Sequence, residues 1–307
     1  MKGHTEISVH DEVSKLRTVV LGIAFDFGGA PELGECYDPK SIESIRLGIF
    51  PLERDLISEM DAFLKVFQRY GVNVHRPKNI AGLNQIYARD IAFVIGNKLV
   101  IPNVIEERSE ELSALNDLFH SIDESHILKM PNSARAEGGD VILNGDSIFI
   151  GYSEDEDFDA YKVARTNLAG VEFIRKSFPN KKIRAFELLK SDTDPRQSAL
   201  HLDCCFQPIG ENMAILCEKG FKNRSDFEFL FDHFGEENVI VISAEDMYNL
   251  NSNVFSLSKE VIVSQTEFTR LNSILRDRGF KVEEVSYNEA SKMGGLFRCS
   301  TMPLLRE

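Results

Sequence analysis

The stretch Met213-Ala214-Ile215-Leu216-Cys217, followed after a short polar link by Arg224-Ser225-Asp226-Phe227-Glu228-Phe229-Leu230-Phe231-Asp232-His233-Phe234, reads as one strand and then one helix. The first five residues are apolar and too few for a helix, so they suit a strand buried in a sheet. The longer segment carries a helical pattern with polar residues on its other face, which puts it outside a sheet core. The same plan recurs along the chain. Strand-like runs fall at Thr18 to Leu21, Lys98 to Ile101, Ser147 to Ile150 and Glu260 to Val263. Helix-like stretches fall at Pro51 to Tyr70, with Leu52, Leu56, Met60, Leu64 and Phe67 at helical spacing, and at Ala169 to Phe178 and Gln265 to Gly279. Spacing between the units is unequal, so the repeat is degenerate. Five such units predict an α/β fold assembled about a pseudo-fivefold axis, in one domain over residues 1–307, because no Pro- or Ser-rich linker interrupts them. The alternative is a doubly wound α/β sheet. Polar candidates that recur once per unit suit a central channel better than a single edge crevice.

Composition narrows the class. With 307 residues, 43% of them hydrophobic and 27% charged, the chain can bury a substantial core, and no apolar run approaches the ~20 residues that span a bilayer. The opening Met1-Lys2-Gly3-His4-Thr5-Glu6 lacks the apolar centre of a signal peptide, so a cytoplasmic location is expected. Five cysteines, Cys36, Cys204, Cys205, Cys217 and Cys299, form no Cys-x-x-Cys pair and suit reduced thiols better than a disulfide frame or a structural zinc site. A net charge of -14 disfavours nucleic acid and mildly attracts a small cation. There is no phosphate loop, metal-ligand cluster or nicotinamide fingerprint, so neither metal nor cofactor is expected. A homo-oligomer remains open. The acidic segment Glu154-Asp155-Glu156-Asp157-Phe158-Asp159 reads as a solvated loop, with a lid over a site as the alternative.

Cys299 lies in Gly294-Gly295-Leu296-Phe297-Arg298-Cys299-Ser300-Thr301-Met302-Pro303-Leu304, where two glycines allow a tight backbone approach and Arg298 places a cation beside the thiol. That setting suits a nucleophile, whereas Cys204, Cys205 and Cys217 read as buried hydrophobes in strand-like runs. His201 heads the strand-like run Leu202 to Pro208. Strand alternation then sets His201 and Asp203 on one face, a general acid/base beside a carboxylate. Asp90 follows Arg89 before the strand-like Ile91 to Ile95 and is either a clamp carboxylate or a turn acid paired with Arg89. Glu137 opens Glu137-Gly138-Gly139-Asp140, a tight turn whose glycines permit close packing beside a channel. Asp140 is expected to hold that turn through backbone N–H groups.

Together these fragments resemble the guanidino-group-modifying enzymes: the arginine deiminases, dimethylarginine dimethylaminohydrolases and arginine amidinotransferases. The pattern is Glu-Gly-Gly-Asp at Glu137, then Arg165-Thr166-Asn167, then His201-Leu202-Asp203, then a near-terminal Cys299 after Gly-Gly. The resemblance runs from about Arg89 to the C-terminus and implies the pentein fold, a five-bladed α/β propeller. It implies Cys299 as nucleophile, His201 as acid/base and Glu137 as the carboxylate that orients His201 and favours its protonated form. It assigns the guanidinium clamp to Asp90 and Asp203 and a substrate carboxylate to Arg165. Asn253 matches an asparagine-valine signature of the family and is read either as a site amide or as a turn residue.

The chemistry so implied is hydrolysis of a small cationic guanidino compound, arginine or a derivative. Cys299 attacks the guanidinium carbon, His201 protonates the departing nitrogen, and a covalent thiouronium is then hydrolysed to a ureido product. The alternative is amidino transfer, in which an amine replaces water. A non-catalytic homologue that binds guanidino metabolites is the remaining reading.

Overall fold

The computed structural model describes residues 5–307; residues 1–4, on which part of the N-terminal reading falls, lie outside them. Each of the five apolar runs becomes the middle strand of a three-stranded sheet. The first sheet holds Leu16–Leu21 (β1) and Asn73–His75 (β2), and the second holds Phe93–Ile95 (β3), Lys98–Ile101 (β4) and Ile127–Lys129 (β5). The third holds Val141–Asn144 (β6), Ser147–Tyr152 (β7) and Lys182–Glu187 (β8), and the fourth Phe206–Ile209 (β9), Met213–Leu216 (β10) and Val239–Val241 (β11). The fifth holds Phe255–Ser256 (β12), Val261–Gln265 (β13) and Lys281–Val285 (β14), and the last strand, Thr301–Arg306 (β15), returns to the first sheet.

Every sheet has one internal pattern: an antiparallel pair, then a third strand added parallel to the middle one after a crossover. In the first sheet the antiparallel partner of β1 is β15, with Leu21 opposite Thr301, while β2 runs parallel to β1. The two ends of the chain therefore build one blade jointly, and the five-bladed pentein propeller closes there. A doubly wound sheet is excluded by these five separate sheets.

The middle strands are apolar because they are covered on both faces; in β10, Ala214, Ile215 and Leu216 are all buried. The helix Glu53–Arg69 shows how the outer layer is fixed. It buries Leu56, Met60, Phe63, Val66 and Phe67, and Phe63 meets Phe255, Tyr287 and Phe297 edge-on at ring separations of 6.1, 5.8 and 5.1 Å. Phe297 lies two residues before Cys299, so this packing anchors the segment that carries the thiol.

Three local expectations need correction. The acidic segment is not a loop: Asp155–Ala160 is a short helix with no buried residue, and Asp155, Glu156 and Asp157 stand in its first turn, where the helix dipole favours them. His201 and Asp203 do not lie on a strand. Leu202–Cys204 forms a 3-10 turn, in which Cys204 and Cys205 donate their N–H groups to the carbonyls of His201 and Leu202, and β9 begins only at Phe206. The helix expected from Gln265 starts at Thr269, since Gln265 ends β13.

Candidate active site

Each blade is entered through a short turn just before its first strand, and each turn carries polar groups toward the same region. Ala88–Asp90 precedes β3, Gly138–Asp140 precedes β6 and Leu202–Cys204 precedes β9, all as 3-10 turns. Residues 251–253 precede β12, and residues 296–300 precede β15. Glycines let these turns meet. A Cβ on Gly138 would lie 2.1 Å from the Arg89 carbonyl oxygen, one on Gly139 would lie 2.6 Å from the His201 ring, and one on Gly295 would lie 2.3 Å from the Tyr87 ring.

His201 and Glu137 are both buried, and His201 Nε2 is 2.8 Å from Glu137 Oε2. Asp90 Oδ1 approaches His201 Nδ1 at 3.7 Å. Burial alone would push the imidazole down, but the carboxylates of Asp90, Glu137 and Asp140 raise its pKa to about 9, so it is protonated at neutral pH. Burial likewise works against the Glu137 carboxylate, yet Arg165, His201 and Arg108 hold it well below the usual carboxylate range. The result is a proton donor fixed by an anion that stays ionised.

Cys299 and Asp90 face one cavity with His201, whose walls include Arg108, Arg165 and Tyr87. Burial raises the thiol pKa well above its ordinary value, and the Asp203 and Asp90 carboxylates raise it further. Arg298 does not offset this. Its guanidinium is buried and donates to Asp203 Oδ2 at 2.9 Å, to Glu12 Oε1 at 2.9 Å and to the Val141 carbonyl at 2.9 Å. The cation expected beside the thiol is thus a brace for the neighbouring turns. Asn253 is what reaches the sulfur: its Nδ2 lies 3.2 Å from Cys299 Sγ.

The six sequence candidates therefore divide. Cys299, His201, Asp90 and Arg165 line the cavity, while Glu137 and Asp203 stand behind it. Asp203 Oδ2 is 3.8 Å from the sulfur as well as bonded to Arg298. Asp90 is not paired with Arg89. Its Oδ2 accepts from Arg108 Nη1 at 2.7 Å and its Oδ1 from the Gly139 N–H at 3.1 Å. Arg165 donates to Glu137, to the Tyr37 carbonyl at 2.7 Å and to the Lys162 carbonyl at 2.7 Å. Asp140 joins turns rather than holding its own, accepting from Leu202 N–H at 2.9 Å and Thr166 Oγ1 at 2.7 Å.

Sequence reasoning missed Arg108 and Asp38. Arg108 sits among Glu106, Glu107, Glu110 and Glu111, where no periodicity or motif distinguishes it from a surface residue. Asp38 is buried at the cavity wall, caps the helix Pro39–Arg46 through Ser41 N–H at 2.8 Å, and forms no ion pair among the described residues. Past Tyr37, Asp38 and Met293 the cavity meets a larger depression bearing Glu32, Glu35, Glu107 and Glu111, an acidic approach suited to a cation. The side chains of Asp90, Glu137 and His201 come within 4.8 Å of one another, a spacing that could hold a metal ion. Arg108 and Arg165 already neutralise that cluster, and a dication would have to face both guanidinium groups.

A pentein propeller whose blade-entry turns bring together a cysteine, a protonated histidine and carboxylates defines the guanidino-group-modifying superfamily. Within it, the family model described as N,N dimethylarginine dimethylhydrolase, eukaryotic, matches residues 51–306, and the chain belongs to that family. It is 30% identical over 223 residues to the uncharacterized protein YkgA of Bacillus subtilis (strain 168), covering 72% of this chain and 70% of that protein. It is 27% identical over 267 residues to the arginine deiminase of Listeria monocytogenes serovar 1/2a, covering 73% of this chain but only 62% of the deiminase. The fold matches the N-terminal domain of ArgZ, an arginine dihydrolase from the ornithine-ammonia cycle in cyanobacteria, with a TM-score of 0.78, 17% identity, and coverage of 95% of this chain and 98% of that one. Among the described residues no helix is long and apolar enough to cross a membrane.

Proposed function

We propose that the chain is a single-domain, cysteine-dependent hydrolase acting on the guanidino group of arginine or an arginine derivative. The observation that carries this reading is His201, held by Glu137 at 2.8 Å and sharing one cavity with Cys299 and Asp90. A guanidinium entering that cavity is planar and permanently charged, and carboxylates are its natural partners. Asp90 supplies one at the cavity wall, Asp203 adds its charge from behind the sulfur, and the incoming cation favours the thiolate of a cysteine that is otherwise held protonated. The thiolate adds to the guanidinium carbon, and His201 gives its proton to a terminal nitrogen, which leaves as ammonia or an amine. The S-linked thiouronium remains. Neutral His201 then takes a proton from water, the oxygen adds to the same carbon, and the C–S bond breaks to give the ureido product and free Cys299. At the far end of an amino-acid substrate, Arg165 is assigned the carboxylate and Asp38, which has no ionic partner among the described residues, the ammonium group.

A substrate panel in oxygen-18 water with glycine present tests both reaction and substrate. The expected result is one labelled oxygen in a ureido product, no effect of glycine, and arginine-like amino acids preferred over agmatine. Unlabelled product with the amidino group transferred to glycine would replace hydrolysis by transfer.

A further inference from the structure

Four of the five blade-entry turns supply the groups already assigned: Asp90, Glu137, His201 with Asp203, and Cys299. The fifth, residues 251–253, brings only Asn253 to the site, fully buried, with its amide nitrogen 3.2 Å from Cys299 Sγ. Its orientation is fixed. Oδ1 accepts the backbone N–H of Arg298 at 3.0 Å and of Cys299 at 3.3 Å, so the NH2 group must face the sulfur. Ser252 secures the same turn by donating to the Asp203 carbonyl at 2.8 Å. We propose that Asn253 is a catalytic residue, an N–H donor that stabilises the Cys299 thiolate during attack and as it leaves the thiouronium. This rests on the hydrolase reading for its catalytic consequence, but the amide–sulfur bond is testable without turnover. The Asp203 carboxylate, 3.8 Å from the sulfur, opposes ionisation of Cys299. The amide is the neutral counterweight, and the hydrogen bond strengthens as sulfur acquires charge.

Two variants are compared: Asn253→Asp retains an oxygen acceptor for both backbone N–H groups and removes the donor, and Asn253→Ala removes the donor without adding a carboxylate, so a rise shared by both is due to the lost donor and not to the new charge. Iodoacetamide alkylation of Cys299, followed against pH by peptide mass mapping, should show its midpoint raised by about one unit or more, and kcat should fall about 10- to 100-fold with KM little changed. An alkylation profile that superimposes on the wild type in a folded Asn253→Asp protein would overturn the proposal. If that variant does not fold, Asn253→Ala, which removes the amide donor and brings neither a charge nor another donor, carries the same comparison. Should the wild type turn over no guanidine, the hydrolase reading fails, while the alkylation profiles still decide the role of Asn253.

Discussion

Asp90 approaches one ring nitrogen of His201 and Glu137 holds the other at 2.8 Å, and the consequence is a histidine that titrates far from its usual range. With the imidazole raised to about 9, the proton donor persists through neutral pH and is lost as pH rises through that value. The rate of the first chemical step should therefore have a basic limb near pH 9. Glu137→Gln keeps the shape and removes the charge, so the limb should move to lower pH, with Asp90 and Asp140 retaining part of the shift. A pH profile of kcat for the two proteins measures this; an unmoved basic limb in Glu137→Gln would assign it to another group. Cys299 illustrates the opposite case. Its flanking Arg298 suggested a depressed thiol, but adjacency in sequence says little about side-chain direction, and the guanidinium turns inward to Glu12 and Asp203.

The turns that deliver these side chains depend on glycine at the points of contact. Gly139→Ala would set a methyl group 2.6 Å from the His201 ring, so the imidazole must shift away from Glu137. Misplacement of this kind should cost about 10- to 100-fold in kcat, with the far-ultraviolet circular dichroism unchanged; full activity would mean that the ring tolerates displacement. Middle strands of all five blades were legible in sequence because each is a short apolar run covered on both sides. The third strands were not. Lys182, Arg184 and Glu187 in β8, and Lys281, Glu283 and Glu284 in β14, give outer strands that resemble solvated loop. First strands such as β9 are buried but short, and their entry turns merge with them in sequence, which is why His201 and Asp203 were assigned to a strand. The site residues were legible where motifs marked them. Arg108 and Asp38 reach the cavity only through tertiary packing, which leaves no local pattern.

Across the whole molecule, the propeller is closed by β1 and β15 and braced near its centre by Arg298. This one guanidinium links Glu12 near the N-terminus, the Glu137–Asp140 turn through the Gly138 and Gly139 carbonyls, and Asp203. Burial works against the Glu12 carboxylate, but Arg298 and Arg89 hold its pKa at about 2, so the pair stays ionised throughout the neutral range. Arg298→Met should leave Glu12 and Asp203 buried without their partner and destabilise the fold by about 3–5 kcal/mol, read as a lowered urea midpoint. An unchanged midpoint would show that the brace is dispensable. Hydrolysis through Cys299 requires a covalent intermediate on its sulfur, and the most direct measurement is a rapid acid quench of enzyme in excess over arginine, followed by peptide mass analysis. The predicted result is transient addition of arginine less ammonia to the peptide carrying Cys299, decaying as the ureido product appears. Product formed with no adduct at any quench time, or an adduct on Cys36, Cys204, Cys205 or Cys217 instead, would contradict it.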